Sequence, residues 1–328
     1  MSDKLNAWLQ LFRLPNLPTA PGDALAGAAL LMGLFPETFG GRWTAALAAG
    51  GASFFLYLFG LADNDLVGAA DDAVHAPDRP IPRGALSVTV VQLARAACLL
   101  AAFGLAFGAG LRQFWAQMAV ALVACILSYN RTKNVLLMGC CRGLSLVAGG
   151  TAVMPDGLWR APVVWQAGDP WMTFLVAEAV LVLAALGWAG YIAAVTLLSV
   201  GEERASEGLG NRRYVLGVAA FLPLVALVPA VVYRLQLPDP GLTPVLLLLP
   251  LFGSLWTFAT WCAAVAPLWQ AHGPAERRAA VGRTIGALLY LQIGFMLVAP
   301  GRPFALVALA LWCAARIIRR LAPAIRGS

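Results

Sequence analysis

Long apolar runs, separated by short polar loops, follow one another along almost the whole chain. A helix that crosses a bilayer needs about 20 mostly apolar residues. A window of that length gives ten candidates, the last of them short: Leu17–Leu34, Trp43–Leu61, Leu86–Gly108, Phe114–Ser128, Val135–Met154, Met172–Val200, Tyr214–Tyr233, Pro244–Trp269, Val281–Ala299 and Pro303–Ile318. We therefore predict an all-α polytopic membrane bundle of nine to ten transmembrane helices, formed by residues 1–328 as a single domain.

The N-terminal segment has a different pattern. In residues 4–14, the apolar side chains Leu5, Trp8, Leu9 and Phe12 recur at helical spacing. This spacing predicts a short amphipathic helix that lies in the membrane interface. The segment has no continuous apolar stretch and no small-residue cleavage site, so we do not expect a signal peptide.

Composition supports a membrane protein. Of the 328 residues, 60% are hydrophobic and 12% are charged, and the mean hydropathy is +0.77. A soluble protein carries roughly 25% charged residues. The net charge of +7 comes from arginines in short loops, which is typical of topology signals and anionic lipid contact. The expected surroundings are a lipid bilayer, and no nucleic acid is expected as a partner.

The distribution of Lys and Arg predicts the orientation. One set of loops holds twelve: Lys4, Arg13, Arg79, Arg83, Arg131, Lys133, Arg204, Arg212, Arg213, Arg277, Arg278 and Arg283. The opposite set holds five: Arg42, Arg112, Arg160, Arg234 and Arg302. By the positive-inside rule, the first set and the N-terminus face the cytoplasm. We expect a multi-pass integral protein, in the inner membrane if the cell is bacterial.

Cysteine usage excludes one class of site. All six cysteines lie in apolar runs, no CxxC pair occurs, and the two histidines are far apart in sequence. Zinc–thiolate sites and disulfide scaffolds are therefore not expected.

An acidic cluster follows the second apolar run. If the helix continues, Asn64, Asp65, Asp71 and Asp72, at offsets 0, 1, 7 and 8, share one face with Gly68. Several oxygen donors on one face suit Mg²⁺, with water and substrate phosphates as the other ligands. The alternative is an ordinary solvated helix end.

Cationic and polar groups follow on the same predicted side of the membrane. Arg79 and Arg83 lie in a proline-rich loop where they could bind a diphosphate. Tyr129 and Lys133 are four residues apart at the end of the fourth run, with Arg131 between them. Topology signals and an interfacial tyrosine are the alternative interpretation of these residues.

A third cluster follows the sixth run, and charged residues also occur within runs. The third cluster contains Thr196, Glu202, Glu203 and Arg212, and by itself this pattern is typical of a solvent-exposed loop. Asn16 precedes the first run and could hydrogen-bond a substrate. The charges within runs are Asp23, Arg95, Arg142 and Glu178, and they predict intramembrane pairing or a polar cavity.

Taken together, these motifs resemble those of the UbiA-type superfamily of intramembrane prenyltransferases. The family's first motif, N-D-x-x-D-x-x-x-D followed by R-P-I/L-P-x-G, is matched by Asn64, Asp65, Asp72 and Arg79–Gly84. Its Y-x-x-x-K motif is matched by Tyr129 and Lys133, and its R-x-P-N-like opening by Arg13, Pro15 and Asn16. The segments Met138–Leu144 and Tyr191–Thr196 resemble the EboC-like branch.

Three features differ from the family pattern. The middle acid of the first motif is Gly68, and the second acidic motif is reduced to Thr196 with Glu202 and Glu203. The tenth predicted helix exceeds the family's usual nine.

The resemblance implies a Mg²⁺-dependent transferase that moves a polyprenyl group from its diphosphate to an unidentified acceptor and releases pyrophosphate. It implies catalytic roles for Asn64, Asp65, Asp72 and Lys133, and substrate contacts from Asn16, Arg79, Tyr129, Arg131 and Arg212. The implied metal ligands are Asn64, Asp65, Asp71, Asp72, Glu202 and Glu203. An alternative is a weakened or inactive relative that binds a prenyl lipid as a subunit of a membrane complex.

Overall fold

A computed structural model describes residues 3–111, 113–154, 170–200, 255–256, 259–266, 274–298 and 302–326. Within these ranges the chain forms helices and short connections, without β-strands. The main helices are α1 (Asp3–Leu11), α2 (Gly22–Leu34), α3 (Pro36–Phe39), α4 (Trp43–Val67), α5 (Ala69–His75), α6 (Val88–Gly108), α7 (Gln113–Thr132), α8 (Val135–Ala152), α9 (Pro170–Val200), α10 (Pro274–Val298) and α11 (Arg302–Arg326). A 3₁₀ segment, Leu14–Thr19, connects α1 to α2.

The all-α prediction is confirmed. Eight of the ten predicted spans correspond to α2, α4 and α6 to α11. Four helical stretches are long and apolar enough to cross a membrane (Trp43–Val67, Val88–Gly108, Val135–Ala152 and Leu175–Leu197), and Val281–Leu297 is a shorter apolar stretch. The predicted span Tyr214–Tyr233 lies outside the described residues, as does most of Pro244–Trp269, so the number of spans stays a prediction.

Helix α2 is the central element, because all of its residues are buried. It crosses α8 with its backbone in close contact. A Cβ atom on Gly27 would lie 2.0 Å from the carbonyl oxygen of Leu146, and one on Gly149 would lie 1.8 Å from that of Ala24. Glycine is therefore required at this crossing, which brings Asp23 of α2 next to Arg142 of α8.

The start of the first predicted span, Leu17, is wrong. The α-helix begins at Gly22, and the chain before it is a 3₁₀ segment, because Pro15, Pro18 and Pro21 lack the backbone N–H that an α-helix uses. Side chains bind the carbonyls left free. Gln292 Nε2 donates to Thr19 O at 2.9 Å, and Ser53 Oγ donates to Ala20 O at 3.1 Å. Irregular backbone at membrane depth is tolerated where protein groups satisfy it in this way.

The end of α4 also differs from the prediction. The helix continues past Leu61 to Val67, and a turn at Gly68 separates it from α5. Backbone bonds from Gly68 N to Asn64 O and from Asp72 N to Gly68 O, each 2.9 Å, keep the path nearly helical. The four polar residues nevertheless do not share one face. Asp65 and Asp72 are buried, whereas Asp71 is exposed.

The predicted N-terminal helix is present as α1. Its buried residues Ala7 and Leu11 pack against Ala62, Leu86 and Val91. This packing holds α1 beside the end of α4, so the chain that follows α1 enters the bundle near the acidic cluster.

Candidate functional site

The ends of α4 and α7 meet at one polar cluster. Lys133 Nζ donates a hydrogen bond to Asn64 Oδ1 at 2.5 Å, although the two residues are 69 positions apart. Asn64 Nδ2 in turn donates to Asp65 Oδ1 at 3.2 Å. Two motifs that are distant in sequence therefore contact each other directly.

Asp72 and Arg79 extend this cluster beyond the turn at Gly68. Arg79 Nη1 donates to Asp72 Oδ2 at 2.6 Å, and the Asp72 side chain is only 11% exposed. The proline-rich loop folds back on itself, with Leu86 N bonded to Pro80 O at 3.1 Å. The loop thus returns Arg79 to the acid seven residues before it.

Two cations of the site have unusual backbone conformations. Arg13 and Lys133, with φ angles of 47° and 51°, are the non-glycine residues with positive φ in the described part of the chain. The left-handed region costs an L-residue roughly 1–2 kcal/mol. Lys133 ends α7 in this conformation, and its N–H bonds Tyr129 O at 2.7 Å. Strained residues of this kind concentrate at functional sites.

The charges of the cluster leave it net positive. Arg13 and Arg79 both act electrostatically on Asp65 and on Lys133, so the three cations and two acids belong to one site. Three positive and two negative charges leave a net charge of +1. The two acids are buried and the three cations are exposed. A site with excess cationic N–H donors is suited to an anion rich in oxygen atoms.

Behind the cluster lies a cavity with largely apolar walls. On α4 it is lined by Ser53, Leu56, Tyr57, Gly60, Leu61 and Asn64, at the spacing of one helix face. The eleven-residue rise from Ser53 to Asn64 corresponds to about 16 Å. Leu122, Ile126 and Tyr129 of α7 also line it. The polar cluster therefore lies at one end of this cavity, because Asn64 belongs to both. We call this end the mouth.

Comparisons with known proteins locate the fold. Neither the protein-family models nor the curated proteins give a match. A solved structure of digeranylgeranylglyceryl phosphate synthase, a UbiA-type intramembrane prenyltransferase, is similar, with a TM-score of 0.50 and 17% sequence identity over 90% of this chain and 99% of that chain. This chain has the UbiA-type fold. With its apolar helices, it is a multi-pass integral membrane protein.

The UbiA-type bundle brings most of the predicted site residues together. The sequence-predicted residues at the mouth are Asn64, Asp65, Asp72, Arg79, Tyr129 and Lys133. The Tyr129 ring lies below Lys133, with 5.7 Å between the ring centre and Nζ. Asn16 interacts with the Tyr57 hydroxyl, and Tyr57 lines the cavity. The roles of these residues in binding and catalysis stay predictions.

Other predicted site residues lie elsewhere. The side chain of Asp71 is 78% exposed and pairs with His75, so the structure does not bring it to Asp65 and Asp72 as the single-face prediction did. Arg131 is exposed and donates to Leu127 O of its own helix at 2.8 Å. The remaining predicted site residues, Glu202, Glu203 and Arg212, lie outside the described residues.

Two residues of the site were missed as candidates. Arg13 was counted only as a loop charge and as part of a motif, yet it lines the cavity mouth. Tyr57 was missed within an apolar run, although its position seven residues before Asn64 places it on the same helix face. That periodicity was the available signal for Tyr57, whereas no local pattern indicates where Arg13 points.

A buried ion pair fixes the end of α4. Asp63 is fully buried and accepts hydrogen bonds from Arg95 Nη1 of α6 at 2.7 Å and from Asn130 Nδ2 of α7 at 2.9 Å. Asn130 Nδ2 also donates to Gly60 O at 3.0 Å. These bonds join three helices immediately next to Asn64 and Tyr129. We infer that the Asp63 network holds α4 and α7 in the register that lets Lys133 reach Asn64.

Replacing Asp63 with alanine should destabilise the protein by about 3 kcal/mol. Breaking a buried ion pair costs roughly 3–5 kcal/mol, and the 36% exposure of Arg95 places the loss at the low end. Thermal unfolding of the purified protein in detergent measures the effect. Asp78→Ala makes the same charge change at an exposed loop position and serves as the control. Equal melting temperatures for the two variants would contradict the role given to Asp63.

The alkaline limit of anion binding should depend on Lys133. Burial, and then the nearby charge of Arg13, lower the pKa of Lys133 below its ordinary value. The lysine is charged below that lowered pKa and neutral above it, so its attraction for an anion disappears as the pH rises. Arginine stays protonated throughout. In Lys133→Arg, pyrophosphate binding measured by calorimetry should therefore persist to higher pH than in the wild type. An identical alkaline limit in both proteins would show that Lys133 does not contact the anion.

The donor atoms at the mouth fit a magnesium ion with few protein ligands. Among the described residues, no group of three or more His, Cys, Asp or Glu side chains converges. Asp65 and Asp72 provide two buried carboxylates, and Asn64 provides an amide oxygen. Mg²⁺ is commonly held by one or two carboxylates together with substrate phosphates and water. The donor set therefore suits a Mg²⁺ ion that binds together with a diphosphate.

Proposed function

We propose that this protein is a Mg²⁺-dependent membrane prenyltransferase that moves a polyprenyl group from its diphosphate to an acceptor and releases pyrophosphate. One observation supports this most strongly. Three cations and two buried acids lie beside a cavity whose lining on α4 extends over about 16 Å of helix, in a chain with the UbiA-type fold. An anionic head followed by a long apolar tail matches this arrangement, and a polyprenyl diphosphate has that form.

Binding of the diphosphate would exchange partners at the mouth. Arg79 and Lys133 at present donate to Asp72 and Asn64. In the proposed complex both cations turn to phosphate oxygens, and Arg13 adds a third set of N–H donors. This exchange also releases the oxygen atoms of Asp72 and Asn64 for a metal ion. Three residues outside the described ranges are proposed to take part. Arg212 would be a further diphosphate contact, and Glu202 and Glu203 would be further ligands of the metal ion.

Mg²⁺ bound by Asn64, Asp65 and Asp72 would supply positive charge next to the departing pyrophosphate. The protein's own cations act in the same direction. Negative charge builds on the pyrophosphate as the bond from its oxygen to C1 of the prenyl group breaks. Each donor placed at such a site in advance contributes roughly 3–4 kcal/mol to the reaction. Arg13, Arg79 and Lys133 are therefore proposed to stabilise the leaving group.

The cavity walls would protect the carbocation formed at C1. Leu56, Leu122 and Ile126 line the space behind the mouth, which keeps water from capturing the cation before the acceptor does. The Tyr129 ring lies at the mouth beside Lys133, and an aromatic face attracts a nearby cation. The acceptor then donates an electron pair to C1 and loses a proton, which completes the transfer.

Lipid extracts test the proposed reaction in cells. Extracts from cells that produce the wild-type protein should contain a lipid heavier than its acceptor by a whole number of isoprene units. The same lipid should be absent from cells that produce Asp72→Ala at equal abundance in the membrane. Extracts with identical mass spectra would contradict a transferase function in that host.

A binding protein without turnover is the second candidate. Asn64 and Asp72 are already paired with cations, and Gly68 replaces an acid of the family motif, so the site has fewer free metal ligands than an intact one. Such a protein would bind a prenyl diphosphate and release no pyrophosphate. Simultaneous assays of binding and release on the same sample separate the two candidates.

A further inference from the structure

A second polar cluster lies at the far end of the cavity from Asn64. It consists of Asp23 of α2, Ser53 of α4, and Arg142 and Ser145 of α8, all of which line the cavity. We call these four residues the inner pole. Leu56, Gly60 and Leu61 line the wall between the two ends, together with Tyr57, whose ring centre lies 5.9 Å from the Arg142 guanidinium. Charged groups inside a membrane bundle are costly and usually functional, so the inner pole requires an explanation.

Part of the inner pole is structural. Arg142 Nε lies 2.8 Å from Asp23 Oδ2. The other carboxylate oxygen, Oδ1, accepts hydrogen bonds from Trp188 Nε1 at 2.9 Å and from Gln292 Nε2 at 2.6 Å. These contacts join α2, α8, α9 and α10. They account for Asp23 Oδ1, but they leave groups that face the cavity unexplained.

Counting hydrogen bonds identifies the unused groups. Ser53 Oγ donates its one hydrogen to Ala20 O, so in the 2.6 Å contact between the two serines Ser145 is the donor and Ser53 the acceptor. The lone pairs of Ser145 Oγ are then without a donor among the described residues. Arg142 donates one of its five N–H groups to Thr19 O, and its Nε lies 2.8 Å from Asp23 Oδ2 without an aligned hydrogen bond. The other N–H groups have no acceptor among the described residues. Asp23 Oδ2 receives no aligned hydrogen bond from the described residues, despite its closeness to Arg142.

The unused groups include both donors and acceptors, and this combination complements a hydroxyl group. A hydroxyl donates one hydrogen and accepts at its oxygen. The charges of Asp23 and Arg142 cancel, so a carboxylate or phosphate bound here would be an uncompensated buried charge, which costs several kcal/mol. A purely apolar group would leave the polar groups unsatisfied.

We propose that the inner pole binds the hydroxyl group of a neutral amphiphile, an alcohol or phenol, whose oxygen accepts from Arg142 and whose hydrogen is donated to Ser145 or Asp23. The apolar body of this amphiphile lies along the cavity towards the mouth. The site does not rest on the proposed function, and an amphiphile bound there would take the place of a prenyl tail in the cavity.

Photolabelling tests the site with defined probes and without turnover. The probe is a twelve-carbon primary alcohol that carries a diazirine next to the hydroxyl-bearing carbon, and its methyl ether is the control compound. The full-length protein in nanodiscs of neutral phospholipid is irradiated with each probe, and the labelled peptides are identified by mass spectrometry. We expect the alcohol to label α8 around Arg142 and Ser145, or α4 around Ser53, about five- to tenfold more than the ether does.

Ser145→Ala should reduce labelling by the alcohol to the level of the ether. Ser128→Ala removes a hydroxyl from an exposed position of α7 and should leave labelling unchanged. Equal labelling by the two probes, no labelling of these segments, or unchanged labelling in Ser145→Ala would each overturn the proposal. No prenyl diphosphate is present, so this result is independent of whether the protein is a transferase.

Discussion

Replacement of Asp72 by alanine is expected to reduce Mg²⁺-dependent pyrophosphate release from a polyprenyl diphosphate by at least about a hundredfold. Asp72 is one of two buried carboxylates at the cavity mouth, and it also holds Arg79 at 2.6 Å. The variant loses a metal ligand and the anchor of a diphosphate-binding cation together. Initial rates with the purified variant in nanodiscs measure the effect, and circular dichroism checks that the helices remain formed.

Asp71→Ala is the matched control for this experiment. It removes the same charge from the adjacent residue, whose side chain is exposed and pairs with His75. Its rate should stay within about twofold of the wild type, because the screened pair is a weak interaction. If Asp71→Ala abolishes release while Asp72→Ala retains it, the assignment of these two acids is reversed. Wild-type rates in both variants would exclude the cluster as the metal site.

Replacement of Gly68 by aspartate should tighten the apparent affinity for Mg²⁺ by about tenfold and raise pyrophosphate release at limiting Mg²⁺. A Cβ atom on Gly68 would lie 3.5 Å from Asp72 Oδ2 and 3.2 Å from Asn64 O. The new side chain therefore starts beside the carboxylate of Asp72, a predicted ligand, and beside the backbone of Asn64, which needs only a small adjustment. The φ angle of −82° is accessible to any residue. Titration of the release rate with Mg²⁺ measures the change.

Gly68→Asn separates charge from shape. Asparagine has nearly the same size as aspartate, and its amide is a weaker metal ligand without charge. The gain should appear with aspartate and be largely absent with asparagine. If both variants lose activity, Gly68 instead provides space for the substrate, and the site is adapted rather than degraded.

The sequence predicts the helices well wherever a long apolar run is sufficient to identify them. The apolar runs correspond to helices because twenty apolar residues have few alternatives in a bilayer. The start of α2 was missed because hydropathy does not register how three closely spaced prolines convert a helix into a 3₁₀ segment. The glycine contacts of Gly27 and Gly149 with the facing helix depend on which helices cross, and a single sequence does not contain that information.

The same distinction applies to the candidate site: residues in local motifs could be predicted, and contacts made by helix packing could not. Asn64, Asp65, Asp72 and Lys133 could be predicted because each belongs to a local motif with a clear chemical meaning. The prediction that Asp71 shares one helix face with Asp65 and Asp72 was wrong, because the turn at Gly68 changes the direction of the side chains that follow it. Intramembrane pairing of Arg95 and Arg142 could be expected from their positions within apolar runs, but their partners, Asp63 and Asp23, could not be predicted. These pairs join residues 32 and 119 positions apart, and only the packing of the bundle brings them together.

Pyrophosphate release by the purified protein tests the proposed transferase function most directly. The wild-type protein in nanodiscs is given geranylgeranyl diphosphate and a set of hydroxyl-bearing acceptors, with Mg²⁺ or with a chelator. We predict release that requires Mg²⁺, increases with at least one acceptor and falls at least about a hundredfold in Asp72→Ala. No release with any acceptor, from protein that still binds the diphosphate, would contradict a transferase and identify a binding protein instead.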